Sequence, residues 1–251
     1  MADLPPGVAI ADCSLCRFRS RTLLAGRCMP GDTCVVVDSG RQIDRFFRIN
    51  PEYAQLYLKD EFWERRAIAV RYVPLSALKV VLDDEDEVVR RAVTYRLPAH
   101  QLKPFINDVD REVRMTVADR ISIEDVELLA NDEDYLVRLY VAKRIPVGRL
   151  FRFINDPDLQ IRKVVAEKLP EVSLGLMKHD PEPSVRDIIA QRISDDEAVD
   201  FLDDEDWLVR YAAAQHVPLS ALPVLLNDEE EDIRLLVKKR LDNSSLEGKN
   251  D

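Results

Sequence analysis

An internal repeat constrains the fold more than any other feature of this 251-residue chain. From Asp60 onward an aspartate recurs at a fixed period of twenty-four positions, and an arginine follows each aspartate by six positions. A fixed period of this length indicates a solenoid, because a single unit cannot bury its apolar face and stacked neighbours form one continuous core. The sequence therefore predicts eight helical repeats over residues 60–241, preceded by a small domain at 1–59 and followed by a polar tail at 242–251. The repeating pairs are Asp60 and Arg66, Asp84 and Arg90, Asp108 and Arg114, Asp132 and Arg138, Asp156 and Arg162, Asp180 and Arg186, Asp204 and Arg210, and Asp228 and Arg234.

Each repeat is predicted to contain one α-helix and a shorter second helix. An acidic turn such as Asp84-Glu85-Asp86 suits a helix N-cap. Apolar residues then follow at helical spacing, as in Val89 and Val93. A proline such as Pro98 ends the helix, since it disfavours the helical conformation in the residue before it. Only about eight residues remain, which favours a short, 3-10-like second helix over a full α-helix. Strand alternation is absent, so the expected fold class is all-α.

The recurring charges have two interpretations. An arginine one or two turns into each helix can reach the acidic turn of its own or the next repeat through charge-assisted hydrogen bonds. A binding stripe is the alternative, and the structural ladder is the stronger hypothesis. Six residues after the arginine stands a mostly basic residue near the helix C-terminus, where a cation complements the helix dipole.

Four cysteines lie within the first 34 residues, and the remaining chain has none. Cys13, Cys16, Cys28 and Cys34 have the clustering of a four-thiolate metal site. Such a site holds zinc or an iron–sulfur cluster, and the spacing leaves these two about equal. Disulfides are a third interpretation, which a reducing compartment disfavours.

Arginines are interleaved with the cysteines at Arg17, Arg19, Arg21 and Arg27. They would offset the negative charge of a thiolate-ligated cluster, or they simply solubilise a small loop-rich module. Because all four candidate ligands are cysteine, no coordination position is left open for a substrate. We therefore expect no catalytic residues, no enzymatic activity and no small-molecule substrate.

The charge distribution limits the possible partners. Residues 1–59 carry eight Lys and Arg against six Asp and Glu, a net charge of +2, and the rest carries 28 against 41, a net charge of −13. An acidic solenoid does not favour a phosphate backbone, so another protein is a better candidate partner than nucleic acid. The chain shows no membrane-length apolar run and no secretory signal, so we expect a cytoplasmic protein without a membrane partner.

The repeating D-x-D…VR…A-x-R-(I/L)-P pattern, together with the four cysteines, resembles the leucine-rich repeat variant family of nitrogen-fixing bacteria. This resemblance covers essentially the whole chain. It implies a right-handed superhelix of alternating α and 3-10 helices and an N-terminal domain that holds a 4Fe–4S cluster. Carried over by position, the cluster ligands would be Cys13, Cys16, Cys28 and Cys34. With the resemblance, the cluster is favoured over zinc, and a link to nitrogen fixation is implied.

The first repeat departs from the pattern at Phe62, Arg65 and Tyr72. We interpret it as a modified cap that faces the cysteine-rich domain, since terminal repeats are often atypical. The segment 46–72 is also rich in aromatic residues. We expect these to form a packed seam between the N-terminal domain and the first repeat, with a partner-binding patch as the alternative. The aromatic residues are Phe46, Phe47, Tyr53, Tyr57, Phe62, Trp63 and Tyr72.

Overall fold

The structure, a computed structural model, describes residues 8–247. The chain divides into two compact units, residues 1–129 and residues 130–251. In both units α-helices alternate with short 3-10 helices. Within residues 8–247 the extended pairing is limited to an isolated bridge between Met29 and Thr33. The predicted all-α fold of alternating α and 3-10 helices is confirmed.

The first unit begins with a π-helix at Arg19–Leu23. Its α-helices are α1 (Gly40–Ile49), α2 (Trp63–Val70), α3 (Glu87–Arg96) and α4 (Arg111–Arg120). Its 3-10 helices are Pro51–Tyr57, Leu75–Val80, Ala99–Gln101, Lys103–Phe105 and Val126–Leu129. Helix α2 packs against both α1 and α3, and α3 packs against α4.

The second unit continues the same alternation. Its α-helices are α5 (Tyr135–Arg144), α6 (Leu159–Lys168), α7 (Pro183–Ala190), α8 (Trp207–Ala214) and α9 (Glu231–Glu247). Its 3-10 helices are Val147–Phe153, Glu171–Met177, Glu197–Phe201 and Leu222–Leu225. Consecutive α-helices pack side by side from α5 to α9. From α2 to α9, the first residues of the helices keep the period of the sequence repeat.

The acidic turn starts the helices by the predicted capping. The Asp86 carboxylate accepts the backbone N–H of Val88 at 2.9 Å, and the Asp84 carboxylate accepts that of Asp86 at 3.0 Å. These bonds satisfy donors that the first helical turn leaves unpaired, and each cap stabilises the helix by about 1 kcal/mol. The same capping role is played by Asp110, Asp134, Asp158 and Asp206.

A proline follows the α-helix in five repeats, and Ser122 and Ser194 stand at the same position in two others. Leu97 is extended, with φ −64° and ψ 144°, because Pro98 follows it. Pro98 then leads directly into the next 3-10 helix. Asp242 stands one period after Pro218, and α9 continues through it to Glu247. The predicted polar tail is therefore helical to residue 247, and its last four residues lie outside the described part of the chain.

The core recurs with the same period as the sequence. In the repeats after the first, two helix positions are completely buried, Val89 and Val93 being an example, and a position of the 3-10 helix such as Leu102 joins them. Replacing such a leucine by alanine costs about 2–5 kcal/mol. The equivalent helix positions are Val113 and Val117 in the first unit, and Val137, Val141, Ile161, Val165, Val185, Ile189, Val209, Ala213, Ile233 and Val237 in the second.

The repeating arginines form a structural ladder. Arg162 donates from Nε to Asp180 Oδ2 at 2.8 Å and from Nη2 to Asp180 Oδ1 at 3.2 Å. Its Nη1 donates to the backbone carbonyl of Asp156, in the acidic turn of its own repeat, at 2.9 Å. One guanidinium therefore joins the turns of two consecutive repeats, which confirms the ladder hypothesis. The same fork joins Arg66 to Asp84, Arg90 to Asp108, Arg138 to Asp156, Arg186 to Asp204, and Arg210 to Asp228.

The second series of basic residues also connects repeats. Arg96 donates to the carbonyl oxygens of Val70 and Val73, at 2.5 and 2.9 Å. These carbonyls lie at and just after the end of α2, so Arg96 caps the helix of the preceding repeat rather than only complementing its own. The sequence predicted a basic residue near the end of each helix, but it did not predict the contact with the preceding repeat. The same contact to the preceding repeat is made by Arg120 in the first unit and by Lys168, Arg192, His216 and Arg240 in the second.

Candidate metal centre

The four cysteines meet at one pocket in the first unit. Cys13, Cys16, Cys28 and Cys34 all line it, and they are unpaired thiols. Cys34 is buried, and the other three are partly exposed. The remaining wall is largely apolar and is formed by Ala11, Phe18, Leu23, Pro30, Val35, Val36 and Phe46, together with Arg19 and Thr33.

The first cysteine pair lies in a tight turn. The backbone N–H of Cys16 donates to the carbonyl of Cys13 at 3.4 Å, and Asp12 accepts the N–H of Ser14 at 2.8 Å. A turn of this kind directs both thiols to the same side of the backbone. The π-helix Arg19–Leu23 follows and leads the chain towards the second pair.

The second pair flanks a closed loop. Met29 and Thr33 exchange backbone hydrogen bonds of 2.9 and 2.8 Å, so Cys28 and Cys34 lie at the base of the loop. Gly31 has φ +80° at the tip, a conformation that glycine adopts without steric cost. The backbone N–H of Cys34 donates to the carbonyl of Gln42 at 3.2 Å, which ties the loop to α1.

Two further contacts tie the chain segments around the pocket to α1. The Arg45 side chain of α1 pairs with the Asp32 carboxylate inside the loop. Gln42, which is almost completely buried, donates from Nε2 to the carbonyl of Ala9 at 2.9 Å. The chain segments on both sides of the pocket are therefore anchored to α1. The sequence reasoning identified none of these supporting residues.

A threonine hydroxyl lies against one of the candidate ligands. Thr22 is completely buried, and its Oγ1 is 3.2 Å from Cys28 Sγ and 3.0 Å from the carbonyl oxygen of Phe18. A hydroxyl has one hydrogen, so it donates to one of these two acceptors at a time. Thr22 stands six positions before Cys28, directly after Arg19-Ser20-Arg21, so nothing in the local sequence sets it apart, and our sequence reasoning missed it.

The thiols influence one another electrostatically. Burial raises the pKa of Cys13, and the nearby Cys34, Cys16 and Cys28 raise it further. Burial also raises the pKa of Cys28, while the Thr22 hydroxyl opposes this shift. Without cations the pocket therefore favours neutral thiols, and binding of iron would release protons because the thiolate is the ligand form.

The donor set fits an iron–sulfur cluster. Four thiols around an apolar pocket are the ligands that such clusters use. Among the described residues no three His, Cys, Asp or Glu side chains are grouped to hold one metal ion. A cubane cluster does not require such a group, because each thiolate binds a different iron. The thiols that share the pocket are therefore compatible with a cluster of several irons.

The four interleaved arginines have different roles. Arg19 lines the thiol pocket. Arg17 stacks over the rings of Phe18 and Tyr57, with its Cζ 4.8 and 5.1 Å from their centroids. Arg27 pairs with Glu52 at 2.5 Å and donates to the carbonyl of Ile49 at 3.2 Å, so it fastens the loop before Cys28 to the end of α1. Arg21 is exposed.

The irregular residues of the first repeat contact the cysteine-rich domain. Arg65 donates from Nε to the carbonyl of Val35 at 2.9 Å and from Nη2 to that of Val36 at 2.7 Å. Tyr72 donates its hydroxyl to Asp44 of α1 at 2.7 Å. The prediction of a modified cap that faces the cysteine-rich domain is confirmed, because the residues that depart from the repeat pattern contact that domain.

The aromatic residues form the predicted seam. Phe47 lies 6.1 Å from Tyr72 and 5.4 Å from Tyr57 between ring centroids. Phe46 and Phe47 are almost completely buried. Burial of these rings supports the packing interpretation over a partner-binding patch, although Trp63 of α2 remains 39% exposed.

Comparison with known proteins supports both parts of this architecture. The family model described as "LRV protein FeS4 cluster" matches residues 7–56, which include all four cysteines. A solved structure described as a leucine-rich repeat variant with a novel repetitive structural motif is 58% identical, with a TM-score of 0.87. The match covers 92% of this chain and 99% of the solved chain. The chain belongs to the leucine-rich repeat variant family.

The family assignment also identifies the cofactor of the protein. Since the matching model describes an FeS4 cluster, this leucine-rich repeat variant protein has an iron–sulfur cofactor. A further relative is an uncharacterized 27.7 kDa protein from the nifB 3′ region of Rhodobacter capsulatus, 38% identical over 88 residues. The aligned segment spans 35% of this chain and 36% of that protein, about a third of its length.

Proposed function

We propose that this leucine-rich repeat variant protein is a non-enzymatic redox protein that acts on a protein partner. The four thiols at one pocket support this proposal most strongly. Cys13, Cys16, Cys28 and Cys34 would each ligate one iron of a 4Fe–4S cluster, which supplies reversible one-electron chemistry when bound. No fifth ligand position is left for a substrate, so electron transfer or redox sensing is a better fit than catalysis.

The residues around the pocket support a stable redox centre. The wall is largely apolar, and the Thr22 hydroxyl lies within hydrogen-bonding distance of a ligand sulfur. Hydrogen bonds to the sulfurs and solvent exposure both tune the reduction potential of such a centre. Anchoring by Arg45 and Gln42 keeps the ligands in place when the charge of the cluster changes.

The solenoid would serve as a scaffold for the partner. Its arginines and aspartates are used within the repeats, so the exposed surface of each repeat is free to vary without loss of the fold.

The similarity to a protein encoded in a nifB region supports a role linked to nitrogen fixation. A four-cysteine cluster site would fit a reducing, cytoplasmic location. Within residues 8–247 no helix has the length and apolar character that a membrane crossing requires.

A structural role for the cluster is the alternative function. The contacts of Arg65 with Val35 and Val36 favour it, since they make the cysteine-rich domain a cap on the first repeat.

Anaerobic purification followed by iron, sulfide and zinc analysis tests the cofactor. A 4Fe–4S cluster is expected to give about four irons and four sulfides per chain. Zinc without sulfide would contradict the proposal.

Single Cys→Ser variants test the ligand assignment. Each of the four substitutions is expected to lower the iron and sulfide content of the purified protein, because each removes one thiolate from the set. A variant that keeps full iron, full sulfide and an unchanged visible spectrum would remove that cysteine from the ligand set.

A further inference from the structure

Large apolar side chains are exposed beside the thiol pocket. Leu15 is 90% exposed and directly precedes Cys16, and Met29 is 57% exposed and directly follows Cys28. Neighbouring Cα atoms are about 3.8 Å apart, so both side chains must lie close to candidate ligands. Val36, which lines the pocket itself, is 47% exposed. Exposed apolar residues grouped around a site indicate an interaction surface, whereas scattered ones do not.

Uncompensated positive charge accompanies these residues. Ion pairs occupy most of the carboxylates of the cysteine-rich domain, and Asp12 remains without one among the described residues. The pairs are Asp32 with Arg45, Asp38 with Arg65, Asp44 with Arg48, and Glu52 with Arg27. By contrast, within residues 8–247 the exposed Arg17, Arg21 and Arg41 form no salt bridge, and Arg19 is near enough to Asp12 to interact with its charge. Arg19 lines the thiol pocket, and Arg21 lies in the same short helix, so exposed arginines lie beside the candidate ligands.

The remaining chain has the opposite charge. Residues 60–251 carry 28 Lys and Arg against 41 Asp and Glu, a net charge of −13. At physiological ionic strength the Debye length is about 8 Å, so a docking protein responds to the charges that it directly faces. A basic partner would be drawn to the repeats, away from the thiols. An acidic partner would be repelled by the repeats and directed to the arginines beside the pocket.

We propose that a small acidic redox protein docks on the cluster face, which we define as Leu15, Arg19, Arg21, Met29 and Val36. This inference rests on the redox function proposed above. The exposed Leu15, Met29 and Val36 form the apolar centre of the contact, and the arginines attract and orient the acidic partner. One electron is then exchanged between the two proteins, and no bond is made or broken. Docking here places the partner over the ligands Cys16 and Cys28.

The experiment uses the anaerobically purified full chain and an acidic plant-type [2Fe–2S] ferredoxin as the probe. The two reduction potentials are measured first, and stopped-flow spectroscopy follows electron exchange in the direction that they make favourable. The test variants are Leu15→Ser and Arg21→Glu, both at exposed positions. The matched control is Lys79→Glu, which makes the same change of net charge at an exposed position in the 3-10 helix Leu75–Val80.

Arg21→Glu is expected to slow second-order electron exchange about tenfold, because electrostatic steering contributes at least this factor to association. Leu15→Ser is expected to slow it as well, with a weaker dependence on salt. Lys79→Glu is expected to exchange electrons at the rate of the parent chain. All variants should keep the visible spectrum of the parent, and the potential of each variant is measured, which separates an effect on docking from an effect on the cluster.

Equal rates for the parent, Leu15→Ser and Arg21→Glu would overturn the docking surface. So would a parent chain whose cluster is reversibly reduced at an electrode but exchanges no electron with the ferredoxin. In both cases the proposed redox function itself survives. A cluster that cannot be reduced and reoxidised at the electrode would instead overturn the redox function, and the docking proposal with it.

Discussion

Removal of one arginine from the ladder is expected to destabilise the second unit strongly. Arg186 forks onto Asp204, with Nε–Oδ2 at 2.7 Å and Nη2–Oδ1 at 2.8 Å, and its Nη1 donates to the carbonyl of Asp180 at 2.9 Å. Both side chains of the pair are only 9% exposed. Arg186→Met therefore leaves the buried Asp204 carboxylate with only the backbone N–H of Asp206 and without its cation, and it removes the donor to the carbonyl of Asp180.

The expected cost follows from this burial. Breaking a buried ion pair by removing one partner costs about 3–5 kcal/mol. For a chain of this size each kcal/mol lowers the melting temperature by about 2–4 °C, so the expected decrease is about 6–20 °C. The assay is thermal and urea unfolding of the purified variant, followed by far-UV circular dichroism.

Two further variants provide the controls. Lys178→Ala breaks the exposed pair between Lys178 and Asp200, and we expect an almost unchanged midpoint, because exposed ion pairs contribute little. Arg186→Met combined with Asp204→Asn removes the uncompensated charge, so we expect the double variant to be more stable than Arg186→Met alone. A midpoint for Arg186→Met within error of the parent, or strictly additive effects in the double variant, would refute the reasoning.

Three other predictions concern the cluster, the cap and acid stability. Thr22→Val is expected to lower the reduction potential and Thr22→Ser to retain it, because a hydroxyl that donates to a ligand sulfur favours the reduced state; a potential titration in which valine changes nothing would assign the hydroxyl to the carbonyl of Phe18 instead. Arg65→Val is expected to speed cluster loss to an iron chelator while the helical signal persists, and unchanged loss would show that the cap contacts do not hold the domain. Burial alone raises the pKa of Asp204, but the hydrogen bonds from Arg186 and from the backbone outweigh it and hold the pKa below 3.8. A lowered folded pKa stabilises the protein above the ordinary carboxyl pKa, so melting temperatures should fall as the pH drops through and below this value, and pH-independent melting would contradict this. The same lowering applies to Asp108 and Asp228.

The period of the sequence was sufficient to predict the architecture. A buried position that recurs once in every repeat, such as Val89 or Val137, can only be explained by stacked units. The sequence was enough to predict that each arginine binds an acidic turn, because a guanidinium six residues after such a turn has few other partners. The sequence left open whether the partner is the acidic turn of its own repeat or of the next one, and that one guanidinium binds both depends on how the repeats stack.

The candidate site was predictable in its ligands but not in its surroundings. Four cysteines within 34 residues are a local pattern that needs no folded structure to be recognised. Thr22, Gln42 and Arg45 reach the pocket or its loops only because the chain folds back on α1, and their spacing from the cysteines follows no known motif. The departure of Arg65 from the repeat was visible in the sequence, whereas its carbonyl partners were not.

The central claim is that the thiol pocket holds a reversible redox centre rather than a purely structural cofactor. An electrochemical titration of the anaerobically purified chain, with far-UV circular dichroism recorded in both states, tests this most directly. We expect a reversible one-electron transition with an unchanged helical signal, because α1 and the loop contacts hold Cys13, Cys16, Cys28 and Cys34 in both states. Reduction that occurs only with loss of iron would contradict it.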